Sequence, residues 1–204
     1  MTRLVLVRHG HSRATEDQVV GGPRGCTGLT ERGAAQVARL RDRWHSSGEL
    51  AADVLLSSIL PRARETAEIL APALDVPPAI EDCDLCELHP GECDGMPWEE
   101  FEAFDLMADP ERPLSPGGES LRAFERRVAA ALDRLRAEHE GKTVVVATHG
   151  GVVMMSLVVL LGIPRPGTGA FLDPDNASVT EWTHDGRWSL VRYNDTAHLA
   201  GLVG

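Results

Sequence analysis

Apolar positions along this chain recur with two alternating spacings. Arg3–Val7 is a short, β-branched apolar run and predicts a buried strand. Thr30 is placed to cap a helix whose Ala34, Val37 and Leu40 share one face. Asp53–Ser57 predicts a second strand. Pro61 then suits the first turn of a helix carrying Thr66, Ile69 and Leu70. Pro77–Ile80 reads as a weaker strand. Ser120–Glu138 has the clearest helical stripe, with Leu121, Phe124, Val128, Leu132 and Leu135 on one side. Thr143–Ala147 is continuously apolar, as a central strand covered on both faces should be. An apolar helix follows to Leu161, and Ser178–Trp182 and Trp188–Tyr193 flank Asp185-Gly186 as a hairpin.

Two stretches break this rhythm. Glycines at 10, 21, 22, 25 and 28 mark a long loop after the first strand. Prolines at 90, 97, 110, 113 and 116 interrupt 83–118 and leave room for one short helix near Trp98–Phe104, so this stretch reads as a cap. Strands alternating with helices predict an α/β fold, a three-layer αβα sandwich around a mostly parallel sheet, with 1–204 as a single domain. In such sheets the site lies at the carboxyl ends of the strands. Arg8-His9-Gly10, Ser57-Ser58 and Thr148-His149-Gly150 all fall at such ends.

Composition narrows the partners. The chain has 204 residues and a net charge of −11, which argues against nucleic acid and anionic membrane surfaces. The longest apolar run, Val152–Leu161, is about half the roughly 20 residues of a spanning helix, so no membrane partner is expected. No secretory leader is read at the start, which predicts a cytoplasmic protein with reduced cysteines. Lys142 is the one lysine among 20 basic residues. Most of the arginines fit codon usage and solvated faces, but arginine is also the planar fork that matches phosphate.

The chemistry gathers at the strand ends. His9 follows the first strand beside Arg8, and Gly10 lets the backbone turn there. Arg62 opens the helix after the second strand. His149 ends the central strand, and Gly150 begins a helix whose N-terminal amides suit an anion. Two histidines and two arginines at one crevice point to phosphate: arginine binds its oxygens bidentately, and imidazole is a competent nucleophile toward phosphorus.

These residues resemble the histidine phosphatase superfamily, which shares the phosphoglycerate-mutase-like fold. Arg8-His9-Gly10 is similar to its signature. Leu29-Thr30 with Gly33, Ser57-Ser58 with Leu60, Arg62-Ala63, Thr66-Ala67, Pro116–Ser120 and Thr148–Gly151 resemble its other blocks in order. The resemblance implies a phosphatase for small phosphorylated metabolites, with no cofactor and no metal. It implies His9 as the phosphorylated nucleophile and Arg8, Arg62 and a protonated His149 as the grip on the phosphoryl group. Glu87, in Leu85-Cys86-Glu87, stands where the family has its proton donor; Glu92 and Asp94 are rivals in the same loop. Ser12 and Gly150 are further phosphate-binding candidates, and Thr15 stands where many members carry an asparagine. The chain is short for a mutase of this family. Phosphoryl transfer to a second substrate and non-catalytic binding of a phosphate ligand are the alternatives, and a homodimer is compatible with the chain.

Other features have plainer readings. Cys83, Cys86, His89 and Cys93 could form a compact metal site, but small buried thiols are the default. Cys26 and Arg32 have the spacing of a cysteine-dependent phosphatase, yet Glu31 would put a negative charge in the cradle. His11, Arg24 and His89 could line an entrance. His45, His139, His184 and His198 read as surface residues.

Overall fold

The computed structural model describes residues 1–101, 108–163 and 172–202. Its sheet has the order β3-β2-β4-β1-β5-β6. The strands are β1 (Thr2–Arg8), β2 (Val54–Ser57), β3 (Ile80–Glu81), β4 (Thr143–Thr148), β5 (Val179–His184) and β6 (Trp188–Asp195). The first four run parallel, and the β5–β6 hairpin adds antiparallel strands beside β1. The expected mostly parallel α/β sheet is therefore present. The weak strand moves from Pro77–Ile80 to Ile80–Glu81. Proline has no amide hydrogen to give a ladder, so pairing starts only beyond Pro77 and Pro78.

Strand alternation builds the three layers. Leu4 and Leu6 of β1, with Val144 and Val146 of β4, pack beneath α5 (Leu121–Glu138) and α6 (Gly150–Leu161). Val5 and Val7, with Val145 and Ala147, face the other way, toward α2 (Glu31–Ser47) and α3 (Pro61–Leu74). Both faces of β1 and β4 are thus consumed by core, which is why their sequences read as unbroken apolar runs. The buried Trp182 satisfies its indole by donating to Ser156 Oγ at 3.1 Å, and that hydroxyl donates to the Val153 carbonyl. Ser156 can therefore sit inside an apolar helix without an orphaned donor.

Capping follows the sequence closely. Thr30 accepts from the Gly33 amide at the start of α2, and Ser120 accepts from the Ala123 amide at the start of α5. The loop after β1 is more structured than its glycines suggest. Ser12 caps a single turn, α1 (Arg13–Glu16), by accepting from the Thr15 amide. The cap contains two 3₁₀ turns, Cys83–Leu85 and Gly91–Cys93, and the short helix α4 (Trp98–Phe101). The rest of the helix expected to Phe104 lies outside the described residues. The histidine at 198 is buried rather than on the surface, under α2.

Gly10 serves a different purpose from the turn read in the sequence. A Cβ there would lie 2.4 Å from the Gly33 carbonyl oxygen, and one on Gly33 would lie 2.0 Å from the His11 carbonyl oxygen. Backbone meets backbone at this point. The two glycines let the N-terminus of α2 press directly against the segment that carries His9.

Candidate active site

Strand register assembles the site. Arg8 pairs with Thr148 across β1 and β4, and Ser57 pairs with Ala147 across β2 and β4. The ladder continues one step further: His9 N donates to the Thr148 carbonyl at 2.8 Å, and Ser58 N donates to the Ala147 carbonyl at 3.0 Å. His9, Ser58 and His149 are therefore level at the carboxyl ends of three adjacent parallel strands. The His9 and His149 rings meet edge to face, with centroids 5.2 Å apart.

His9 has one defined tautomer. Its Nδ1 lies 2.7 Å from the Gly10 carbonyl. A carbonyl can only accept, so Nδ1 carries the proton and Nε2 keeps its lone pair. Nε2 in turn accepts from Arg62 Nε at 2.9 Å. Burial, then the Arg62 and Arg8 charges, hold the His9 pKa well below its ordinary value. A neutral imidazole keeps the lone pair that attack on a phosphorus atom requires, and Arg62 must turn its N–H from that lone pair to a phosphoryl oxygen for the attack to occur.

His149 departs from expectation. It is fully buried, and burial together with Arg62, His9 and Arg8 lowers its pKa well below 6.5. In the absence of an anion the ring is neutral, not the protonated clamp read from the sequence. Its Nε2 lies 2.8 Å from Ser58 Oγ, and Nδ1 is without a partner among the described residues.

A cleft of about 290 Å³ opens over His9, lined by Arg8, Ser12, Thr15, Arg62 and Glu87 among others. Val20, Trp98, Phe101 and Leu114 supply apolar wall from the loop and the cap. Arg8 Nη1 is held by Asp173 at 2.9 Å and by the Pro174 carbonyl, and its Nε is unpartnered among the described residues. Ser12 and Thr15 hydroxyls bond each other at 2.9 Å. Gly150 opens α6, so its amide belongs to the first-turn donors that have no partner inside the helix.

The three acidic candidates separate. Glu87 lines the cleft and accepts from the Gly151 amide at 3.0 Å, at the N-terminus of α6. Asp94 is a clamp: its carboxylate accepts from the amides of Gly22, Arg24 and Gly25 and ties the cap to the glycine loop. Glu92 is exposed and outside the cleft. Arg24 pairs with Asp94, and His11 lies against Thr30 Oγ1. Cys26 is buried in an apolar cluster with Leu60 and Cys86.

Two residues hold positions whose purpose the sequence reading did not assign: Ser58, noted there only as part of a strand end and its motif, and Arg127. Ser58 Oγ touches both His149 Nε2 and Cys86 Sγ, at 2.8 and 3.2 Å. Arg127 donates to the carbonyls of Asp84, Cys86 and Glu87 and pairs with Glu119, so α5 fixes the backbone that presents Glu87. Arg127 borders the apolar stripe of α5, where a cation ordinarily reads as solvated.

Buried neutral histidines have a cost at low pH. The pKa values of His9, His149 and His198 are all depressed in the fold, that of His198 to about 4. Below about pH 6.5 the unfolded chain binds more protons than the native one, so stability falls. The melting temperature is expected to be level above about pH 7 and to drop by several degrees between about pH 6.5 and 5, as followed by calorimetry. A His198→Asn variant should show a shallower drop.

Comparison with known proteins agrees with this arrangement. A sequence profile of the histidine phosphatase superfamily (branch 1) matches residues 4–196. The chain is similar to the metal-independent phosphoserine phosphatase of Arabidopsis thaliana, 29% identical over 209 residues covering 99% of this chain and 85% of the relative. It is similar to phosphoglycerate mutase-like protein 4 of the same plant, 31% identical over 205 residues, 96% of this chain and 86% of the relative. Among solved structures, it resembles the phosphoserine phosphatase of Entamoeba histolytica in complex with 3-phosphoglyceric acid: TM-score 0.80, 26% identity, covering 98% of this chain and 100% of that one. In the structure described here, no helix among the described residues is long and apolar enough to cross a membrane.

Proposed function

This chain belongs to the histidine phosphatase superfamily, and on that premise we propose that it hydrolyses small phosphomonoesters through a phosphohistidine on His9, with Glu87 as proton donor. The observation that carries the reading is the His9 imidazole. Its Nδ1 is held by the Gly10 carbonyl and its Nε2 lone pair lies against Arg62, at the floor of a cleft that Glu87 also lines.

The proposed cycle has two displacements. The Nε2 lone pair attacks phosphorus, the bond from phosphorus to the alcohol oxygen breaks, and Glu87 passes its proton to the leaving alkoxide. Water then gives a proton to the Glu87 carboxylate and attacks the phosphohistidine; the N–P bond breaks and the electron pair returns to Nε2. Arg8 and Arg62 balance the charge spread over the equatorial oxygens, where phosphoryl transfer gains most of its acceleration. Once an anion is bound beside it, His149 gains a reason to donate from Nδ1, the nitrogen without a partner among the described residues. Small, phosphorylated substrates match a cleft of about 290 Å³, and the net charge of −11 disfavours polyanions.

The reading is tested by phosphate release from p-nitrophenyl phosphate, phosphoserine and 3-phosphoglycerate, each with strong chelator present. The expected result is turnover of at least one ester with kcat/KM of about 10⁴ M⁻¹ s⁻¹ or more, not lowered by the chelator. Binding of these esters without phosphate release would instead describe a phosphate-ligand binding protein.

A further inference from the structure

The cap holds a second group of chemically reactive side chains, and it touches the first. Cys83 and Cys86 sit at the start and just past the end of one 3₁₀ turn, with their Sγ atoms 3.8 Å apart. His89 Nε2 lies 3.9 Å from Cys83 Sγ. One donor atom from each of the three falls within 4.8 Å of the others. Cys93, the fourth residue of the sequence cluster, is not part of this group.

These separations can be compared with a real coordination sphere. Tetrahedral zinc with Zn–S of about 2.3 Å and Zn–N of about 2.05 Å puts two sulfurs about 3.8 Å apart and a sulfur and a nitrogen about 3.6 Å apart. The sulfur pair is already at that edge; the His89 nitrogen is a few tenths of an ångström beyond it from Cys83 and within 4.8 Å of Cys86, so the imidazole closes on the second sulfur when a cation binds. Cys83 is exposed, which gives a cation access and leaves a corner for water, while Cys86 is buried and fixed. The backbone beneath is braced as metal sites usually are. Arg127 grips the carbonyls of Asp84, Cys86 and Glu87, and Glu119 accepts from the His89 amide.

A disulfide is the other use of two close sulfurs. A disulfide would leave the third donor, His89, without a purpose, and the sulfurs at 3.8 Å stand at the ligand–ligand edge rather than at the roughly 2.05 Å of a bond.

We propose that Cys83, Cys86 and His89 form a three-ligand site for a soft divalent cation of the zinc type, with water as the fourth ligand, whose occupancy is relayed to His149 through Ser58. On binding, each thiol gives its proton to solvent and the sulfur donates to the metal. The relay follows from donor direction. The single Cys86 thiol hydrogen has two acceptors in reach, Ser58 Oγ at 3.2 Å and the more distant Cys83 Sγ at 3.8 Å; given to the nearer, it leaves the hydroxyl hydrogen to donate to His149 Nε2, and Nδ1 then carries the ring proton. A metal-bound thiolate can only accept. The Ser58 hydroxyl turns to it, Nε2 takes the ring proton, and Nδ1 loses the hydrogen with which it would meet a phosphoryl oxygen. The cation thus acts as an inhibitor from outside the cleft. This last step rests on the phosphatase reading; the binding step does not.

Cobalt(II) is the probe, because its thiolate complexes absorb by charge transfer and report sulfur ligation without any substrate. Chelator-stripped protein under reducing conditions is titrated with cobalt(II). The expected result is saturation at one equivalent in the wild type, with the band lost in Cys83→Ser and weakened at least tenfold in His89→Ala. No band in the wild type, or the same band in Cys83→Ser, overturns the site. Cys83 is exposed, so Cys83→Ser should fold, as an unchanged melting curve would verify. In the same samples, one equivalent of zinc should lower kcat several-fold in the wild type and leave Cys83→Ser unaffected. Binding with unchanged kcat overturns the relay alone.

Discussion

Replacing His9 by alanine is expected to lower kcat/KM by about 10⁴-fold or more, the scale seen when a covalent nucleophile is removed. That is about 5 kcal/mol of lost transition-state stabilisation. Several features of the site converge on this one nitrogen. The Gly10 carbonyl fixes the tautomer, Arg62 approaches the lone pair, and burial keeps the ring neutral. Among the described residues, no other side chain lining the cleft offers a lone pair so prepared. Fold and chemistry can be separated in the test. His9→Ala leaves Arg62 Nε without its acceptor inside a buried site, which costs about 1–3 kcal/mol of stability. The melting temperature should therefore fall by a few degrees while the phosphate grip of Arg8 and Arg62 persists, so the substrate should still bind. Rapid mixing with substrate followed by an alkaline quench should trap a phosphoprotein in the wild type and none in His9→Ala. A variant with wild-type turnover would mean that water attacks the ester directly.

Most of this arrangement could be read from the chain before its structure, and the reason is local. β1, β4, α2 and α5 have strong periodicity and well-placed caps, so neighbouring residues alone dictate them. The placement of the candidate site was legible where a residue sits at a strand end or just after it, as for His9, Arg62 and His149. It was not legible where the role depends on distance through space. Ser58 acts through a bond to a side chain 91 residues away. Arg127 reaches across from another layer to carbonyls about 40 residues earlier in sequence. Gly10 is required because Gly33 presses on it, a contact no local turn rule contains. The proline-broken cap has no period at all. Its order comes from bonds to the glycine loop, such as the Val20 amide to the Met96 carbonyl and the three amides gathered by Asp94. His149 was assigned a charge from its expected ligand, and burial among cationic neighbours works against that charge.

Glu87→Gln should have the second large effect, and its size should depend on the leaving group. Proton donation matters in proportion to the basicity of the departing oxygen. An alkyl phosphate such as phosphoserine expels a basic alkoxide and should lose about 10²–10⁴-fold in kcat. p-Nitrophenyl phosphate expels a stabilised phenolate and should lose far less in the first step, so that breakdown of the phosphohistidine becomes limiting. A burst of p-nitrophenol ahead of phosphate should then appear, because the same carboxylate activates the attacking water. Glutamine retains the shape and can still accept from the Gly151 amide, so binding should change little. A second variant reaches the same group from the other side. A Cβ on Gly151 would fall 2.0 Å from Glu87 Oε1. Gly151→Ala must therefore displace the carboxylate, although alanine suits the first turn of a helix better than glycine does. The melting temperature should hold or rise while hydrolysis of the alkyl ester falls, with the leaving-group dependence of Glu87→Gln. If Glu92→Gln shows that dependence and Glu87→Gln does not, the proton comes from the other side of the cap.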